Sequence, residues 1–70
     1  MTKKDFGLNL AKKREKFGIS AYELSLRLGK DTTYINKIEN GKRFPSVPML
    51  FEIASILEIS VENLFTDELG

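Results

Sequence analysis

The residues with the clearest chemistry lie in one polar run, positions 31–40, which is closed by Gly41, a residue suited to ending a helix. Asp31 can cap a helix at its N-terminus, and Ile35 and Ile38 stand three residues apart on one face of it. The opposite face carries four hydrogen-bonding residues: Thr32, Thr33, Asn36 and Lys37. In the major groove of DNA, Lys favours guanine, Asn favours adenine and Thr can contact a thymine methyl. The run therefore predicts a recognition helix, and the alternative is an ordinary solvated helix surface.

The composition argues against enzymatic chemistry. The 70 residues include no Cys and no His, which excludes disulfides, thiolate chemistry, the usual zinc ligands and the commonest acid–base side chain near neutral pH. No nucleophile–base pair, phosphate loop or ligand cluster is evident, so we expect no enzyme, no metal and no cofactor. The length predicts one domain over residues 1–70 with a small core. Without a signal segment or an apolar run near the roughly 20 residues that span a bilayer, we expect a cytoplasmic protein with no membrane partner.

Charge is divided unevenly along the chain. Positions 1–43 hold all eleven basic residues and five acidic ones, a net charge of +6, whereas positions 44–70 hold five acidic residues and no basic one, a net charge of −5. Such asymmetry suggests a basic surface for a polyanion such as double-stranded DNA, and an acidic surface with another role. The alternative is that the charges only solvate two faces.

Helix-start signals recur along the chain and predict an all-α, compact bundle of five helices. Residues with the spacing of a capping box follow Thr2 and Ser20, which predicts the starts of helices 1 and 2. Ser46 and Ser60 can cap helices 4 and 5, and helix 4 is apolar enough to be the most buried element. Residues 29–30 leave only a short turn between helix 2 and helix 3. Two short helices joined in this way are typical of a helix-turn-helix.

From Phe6 to Phe65 the chain resembles the Cro/phage-repressor helix-turn-helix domain, the XRE family. The matching residues are Arg14, Gly18-Ile19-Ser20, Glu23-Leu24, Leu28-Gly29, Tyr34-Ile35, Lys37 to Arg43, Pro45-Ser46 and Leu64-Phe65. The resemblance implies a lambda-repressor-like fold with helix 3 in the major groove. It also implies a sequence-specific transcriptional regulator, a repressor, that binds a pseudo-palindromic operator as a homodimer.

The resemblance also assigns roles to individual residues. It implies base contacts from Thr32, Thr33, Asn36 and Lys37. It implies phosphate contacts from Arg14, Ala21, Tyr34, Asn40, Lys42 and Arg43. Arg14 and Glu39 match the family's partly buried ion pair. Ala21 stands where the family usually has Gln, so its contact would come from backbone N–H groups, and Tyr34 could instead shield the packing of helices 2 and 3.

Two departures from the family pattern affect the fold. Lys30 occupies the place of a buried aliphatic residue, so it must extend to solvent or loosen the turn. Glu58 replaces the usual Gly after helix 4. Because a left-handed conformation costs a non-glycine residue about 1 kcal/mol or more, we expect a different exit from helix 4.

The acidic C-terminal half has no role in this scheme except pairing. Near that end, Val61, Leu64 and Leu69 offer a dimer face, used either in solution or only on DNA. The competing function is a protein-interaction module, such as the antitoxin of a toxin–antitoxin pair, whose acidic half binds a protein partner while DNA binding is auxiliary. Leu26 and Phe44 have no evident place in the core.

Overall fold

The computed structural model describes residues 1–66, and these form helices joined by short turns. Four are α-helices: α1 (Lys3–Phe17), α2 (Ala21–Arg27), α3 (Tyr34–Glu39) and α4 (Val47–Ile56). The predicted fifth helix is a 3₁₀ helix, Glu62–Phe65. Its hydrogen bonds join residues three positions apart, such as the bond from Leu64 N to the Val61 carbonyl (3.0 Å). Because residues 1–66 contain no strand, the predicted all-α class is confirmed. None of the helices in this span is long and apolar enough to cross a membrane.

The predicted caps start three of the α-helices. The Thr2 hydroxyl accepts a bond from Asp5 N (3.0 Å), and the Asp5 carboxylate accepts one from Thr2 N (3.1 Å), which completes the capping box of α1. The Ser20 hydroxyl accepts from the backbone of α2, and the Ser46 hydroxyl does the same for α4. These bonds satisfy N–H groups that have no partner inside the helix.

Helix α3 is shorter than the predicted span of about 31–40. The Asp31 carboxylate does not cap it directly, because Oδ1 accepts bonds from Thr33 N (2.9 Å) and from the Thr33 hydroxyl (2.6 Å) instead. These bonds build a turn of the kind that Asp favours, and the helix begins only after it, at Tyr34. Thr32 and Thr33 therefore lie on the turn that leads into the helix.

The core consists of the apolar faces of all the helices. Its buried members are Phe6, Leu10, Ile19, Leu24, Leu28, Tyr34, Ile35, Ile38, Leu50, Ile53, Ala54, Leu57 and Leu64. The expectation that α4 is the most buried element is wrong, since Val47 is 64% exposed and Phe51 is 61% exposed. Only one face of α4 reaches the core, so residues four apart on its other face remain in solvent.

The junction after α4 also differs from expectation. Glu58 adopts the left-handed conformation (φ 58°) for which the family usually has Gly. The chain therefore leaves α4 in the family's usual way, and the backbone of Glu58 is strained. Its backbone N–H bonds to the Ser55 carbonyl (3.2 Å), which closes the turn.

The proposed dimer face near the C-terminus needs correction. Leu64 is fully buried within the core because its 3₁₀ helix packs against α1, so it cannot contact another molecule. Val61 is half-buried, and Leu69 lies outside the described residues. Phe44 is partly exposed, but its ring lies 4.8 Å from the Phe6 ring (centroid distance), so it extends the core rather than standing alone.

Candidate nucleic-acid interface

Helix α3 is held against α1 by an ion pair. Arg14 Nε donates to Glu39 Oε2 (2.7 Å) and Arg14 Nη2 donates to Glu39 Oε1 (3.1 Å), while Arg14 Nη1 reaches the Ile19 carbonyl (2.9 Å). Both charged side chains are only 13% exposed. The bonds to Glu39 raise the pKa of Arg14 above its ordinary value. The guanidinium thus joins α1, the end of the α1–α2 turn and α3, and little of it remains open to a phosphate.

A close backbone approach brings α1 and α3 together on the same side. Gly7 lies so near the end of α3 that an added Cβ atom would stand 2.5 Å from the Ile38 carbonyl oxygen and 2.6 Å from that of Glu39. Only a residue without a side chain fits there. Because Gly is a poor helix former, the sequence alone marks Gly7 only as a weak position in α1.

Ser25 joins the two helices of the helix-turn-helix, and it was not among the residues predicted from the sequence. Its buried hydroxyl donates to the Ala21 carbonyl (2.8 Å) and accepts from Ile35 N (3.0 Å). The second bond satisfies a backbone donor in the first turn of α3, which has no side-chain cap of its own. The available signal was a small polar residue between Leu24 and Leu28 on the inner face of the helix.

The four residues implied for base contact share one exposed surface. Ile35 and Ile38 are fully buried, so α3 turns its other face to solvent, and the turn before it continues that surface. The exposed residues are Thr32, Thr33, Asn36 and Lys37. We refer to these four residues as the reading surface.

Hydrogen bonds within the protein determine what two members of the reading surface can offer. The Thr33 hydroxyl already donates to Asp31, so its oxygen can only accept a further hydrogen bond, and its methyl group can contact a thymine. Asn36 Oδ1 accepts from Asn40 Nδ2 (2.7 Å), and Asn40 Nδ2 also donates to the Asn36 carbonyl (2.8 Å). Asn36 therefore keeps its amide donors and one acceptor lone pair, whereas Asn40 spends its donors on the end of α3.

The remaining residues implied for phosphate contact are placed differently from one another. Lys42 and Arg43 are exposed in the loop after α3, and the Lys42 backbone N–H ends the helix by bonding to the Lys37 carbonyl (2.9 Å). Tyr34 is only 2% exposed, so its ring serves the packing of α3. Ala21 is half-buried at the start of α2 and offers no polar side chain.

Lys37, Lys42 and Arg43 give α3 and the loop after it exposed positive charges, and Asp31 is an exposed acidic residue in the turn before α3. The bonds from Thr33, followed by the nearby charges of Lys37 and Arg43, hold the pKa of Asp31 below its ordinary value. Asp31 therefore stays ionised at neutral pH and fixes the turn in front of α3.

Two short helices joined by a tight turn, with an exposed polar face beside a basic loop, define a helix-turn-helix DNA-binding domain.

Comparison with known proteins identifies the family. The sequence model of the helix-turn-helix family matches residues 10–64, and the chain belongs to this XRE-type family of DNA-binding transcriptional regulators. It is 35% identical over 60 residues to the uncharacterised HTH-type transcriptional regulator y4dJ of Sinorhizobium fredii, covering 86% of this chain and 78% of that protein. It is 38% identical over 63 residues to the control protein C.MunI of a Mycoplasma species, covering 89% and 85% of the two chains.

A solved structure gives the same result for the fold. The restriction-modification controller protein C.AhdI of Aeromonas hydrophila superposes with a TM-score of 0.79 at 32% sequence identity. The match covers 86% of this chain and 87% of that protein. The arrangement of helices described above is therefore similar to that of a restriction-modification controller protein of similar size.

Proposed function

We propose that this regulator reads a specific operator by placing α3 in the major groove, with the reading surface against the base edges. The observation that carries this is the division of α3 into a buried apolar face and an exposed hydrogen-bonding face, with both ends of the helix held by α1 and α2. A rigidly held helix can present side chains to bases without ordering them first. Lys42 and Arg43 would then bind phosphates beside the groove. Because its target is DNA, we propose that the protein acts in the cytoplasm.

The protein acts as a homodimer on a pseudo-palindromic site in this proposal. One copy of so short a helix reads only a few bases, and a two-fold pair would read two half-sites about 34 Å apart. The exposed face of α4 supports this pairing, because Val47 and Phe51 are exposed on it and Phe51 also lines a groove that extends to Val61. A second copy of the chain would bury these apolar side chains, which replaces the face predicted around Leu64.

As to its biological role, we propose that the protein is a repressor and that its own gene is among the genes it represses. Two relatives bear the names of control and controller proteins, and one is named for restriction-modification. This chain covers most of the length of both, so it matches them as whole proteins rather than as one domain of a larger regulator. A role in controlling a restriction-modification operon is the specific form of this proposal.

The decisive test compares DNA binding of the wild-type protein with that of Asn36→Ala and Lys37→Ala. The two duplexes would be the region upstream of its own gene and an unrelated sequence of equal length. Loss of a good base contact costs about 1–3 kcal/mol, so each variant should lose roughly fivefold or more of its preference for the upstream region while still binding DNA non-specifically. Lys16→Ala removes the same charge from α1 and should keep the preference.

The opposite outcome is equally clear. If the wild-type protein binds neither duplex at physiological salt, α3 is not a reading helix in this chain. Its helix-turn-helix would then support a protein interaction, and the acidic C-terminal half would be the first place to look for the partner.

A further inference from the structure

The two loops that flank α3 each place a cation on the same aromatic ring. Lys30, in the turn before the helix, has its Nζ atom 5.5 Å from the centroid of the Tyr34 ring. Arg43, in the loop after the helix, has its Cζ atom 5.0 Å from the same centroid. Both distances are within the range of a cation–π interaction. One ring therefore connects two cations from different loops, thirteen positions apart in sequence.

The ring itself is fixed firmly enough to act as a support. Tyr34 is the first residue of α3 and belongs to the buried core, and its backbone N–H bonds to the Asp31 carbonyl (3.1 Å). Burial raises the pKa of the Tyr34 hydroxyl, with Glu52 of α4 adding to the rise and Arg43 opposing it. The ring is neutral at physiological pH, and its negative face can attract cations.

The two cations keep their charged ends in solvent while the ring restricts them. Lys30 and Arg43 are both exposed residues, so neither is enclosed by the protein. A free Lys or Arg side chain samples many rotamers and loses this freedom when it binds a phosphate. A side chain that already lies on a ring loses less, which favours binding without adding a contact to the complex.

We propose that Tyr34 is a positioning residue that holds Lys30 and Arg43 towards the DNA backbone, and that Lys30 is a further phosphate-binding residue. The inference rests on the proposed placement of α3 in the major groove. It also gives a reason for the presence of Lys30 at a position where the family usually has a buried aliphatic residue. Because phosphates carry no sequence information, this pair should raise affinity for all duplexes rather than the preference for one.

The first experiment measures the salt dependence of binding to a random-sequence duplex of about 30 base pairs, long enough for two half-sites one turn apart. Each phosphate contact contributes about 0.9 to the slope of log K against log salt concentration. Lys30→Gln should reduce the slope by about this amount for each bound protomer. Lys16→Gln, which removes an equal charge beside Leu57 and Glu58, should change it much less.

The second experiment separates the ring from the hydroxyl of Tyr34. Tyr34→Phe keeps the ring and should bind the random duplex like the wild type, whereas Tyr34→Leu should bind several-fold more weakly. Combining Tyr34→Leu with Lys30→Gln should cost less than the sum of the two single losses, because both remove the same positioned cation. A merely structural role for Tyr34 would give additive losses.

Nuclear magnetic resonance of the unmutated protein tests the contact even if Tyr34→Leu does not fold. Side-chain protons of Lys30 and Arg43 should be shifted upfield by the ring current of Tyr34, relative to those of Lys42. Unshifted protons, or a Lys30→Gln slope equal to that of the wild type, would overturn the inference while DNA binding itself stands. Failure of the wild-type protein to bind any duplex would instead reject the proposed function.

Discussion

Arg14 and Glu39 join the first and third α-helices through two parallel hydrogen bonds in a site where both side chains are largely buried. Helix α3 has six residues and no side-chain cap, which is far too short for an isolated helix to be stable. Its position must come from its neighbours, through this ion pair, the Ser25 bond and the close approach at Gly7. The reading surface is thus supported mainly by residues outside α3.

Removing one partner of the ion pair should be costly. In Glu39→Ala the Arg14 guanidinium would stay largely buried and keep only the Ile19 carbonyl and a long contact with the exposed Glu15 carboxylate (3.9 Å) among its described partners. Breaking such a pair costs about 3 kcal/mol. Urea denaturation would measure the loss in the free energy of unfolding. The matched control is Glu23→Ala, which breaks an exposed pair with Arg27 and should cost less than about 1 kcal/mol. Equal losses in the two variants would show that the Arg14 pair is no stronger than a surface contact.

Gly7 provides a prediction in which packing and helix propensity oppose each other. In an exposed helix, replacing Gly by Ala stabilises by about 1 kcal/mol. Here the new Cβ would meet backbone atoms of α3 rather than flexible side chains, so Gly7→Ala should lower the free energy of unfolding by about 1–3 kcal/mol and weaken DNA binding as α3 moves.

Gly18→Ala is the control for Gly7→Ala. Gly18 has a positive φ of 89° but open space around its Cβ position, so strain alone should cost about 1 kcal/mol without affecting α3. A higher unfolding midpoint for Gly7→Ala than for the wild type would disprove the close approach of α1 and α3.

The capping box of α1 predicts how stability depends on pH. Hydrogen bonds to the Thr2 backbone N–H and to the Thr2 side chain hold the pKa of Asp5 below its ordinary value of 3.8. The stabilisation is therefore fully present above pH 3.8 and is lost as the pH falls through the lower, folded-state pKa. Asp5→Asn should reduce stability at pH 7 and flatten its decline in acid. Urea midpoints at pH 7 and pH 3 would measure both effects, and an Asp5 pKa at or above 3.8 by nuclear magnetic resonance would contradict the prediction.

Local signals in the sequence predicted the elements well because they depend on residues close together in the chain. The caps at Thr2, Ser20 and Ser46 act within three residues, so the starts of three helices were readable from spacing alone. The buried positions of Ile35 and Ile38 followed from their spacing on α3. The start of α3 was harder to predict, because Asp31 can satisfy either a helix or the turn before it, and the turn prevailed.

Contacts between distant residues could not be read in the same way. Gly7 resembled a weak helix position, and only the approach of α3 shows that its missing side chain is required. Leu64 and Phe51 are both large apolar residues on helices, yet one is buried and the other exposed, because burial depends on which face of each helix meets the core. Glu58 accepts strain that a local rule assigns to Gly, since the packing on both sides of the turn determines its conformation.

The exposed face of α4 leads to a prediction about self-association. Burying a side chain such as Phe gains about 1.5–3 kcal/mol, and a two-fold pair buries it twice. Phe51→Glu should therefore abolish dimers of the folded protein, and the acidic neighbours Glu52 and Glu62 would add repulsion. Sedimentation equilibrium would compare it with Tyr22→Glu, which alters an equally exposed aromatic residue on α2 and should leave the dimer intact.

Binding to DNA connects this prediction to function. If pairing through Phe51 spans two half-sites, Phe51→Glu should bind a single half-site as the wild type does but lose its advantage on the complete site. If the wild-type chain pairs only on DNA, the free proteins would both be monomers, and the difference would appear solely on the complete site. If Phe51→Glu binds both the single half-site and the complete site with wild-type affinity, the dimer interface lies elsewhere. The two α3 helices would then be joined without the α4 face.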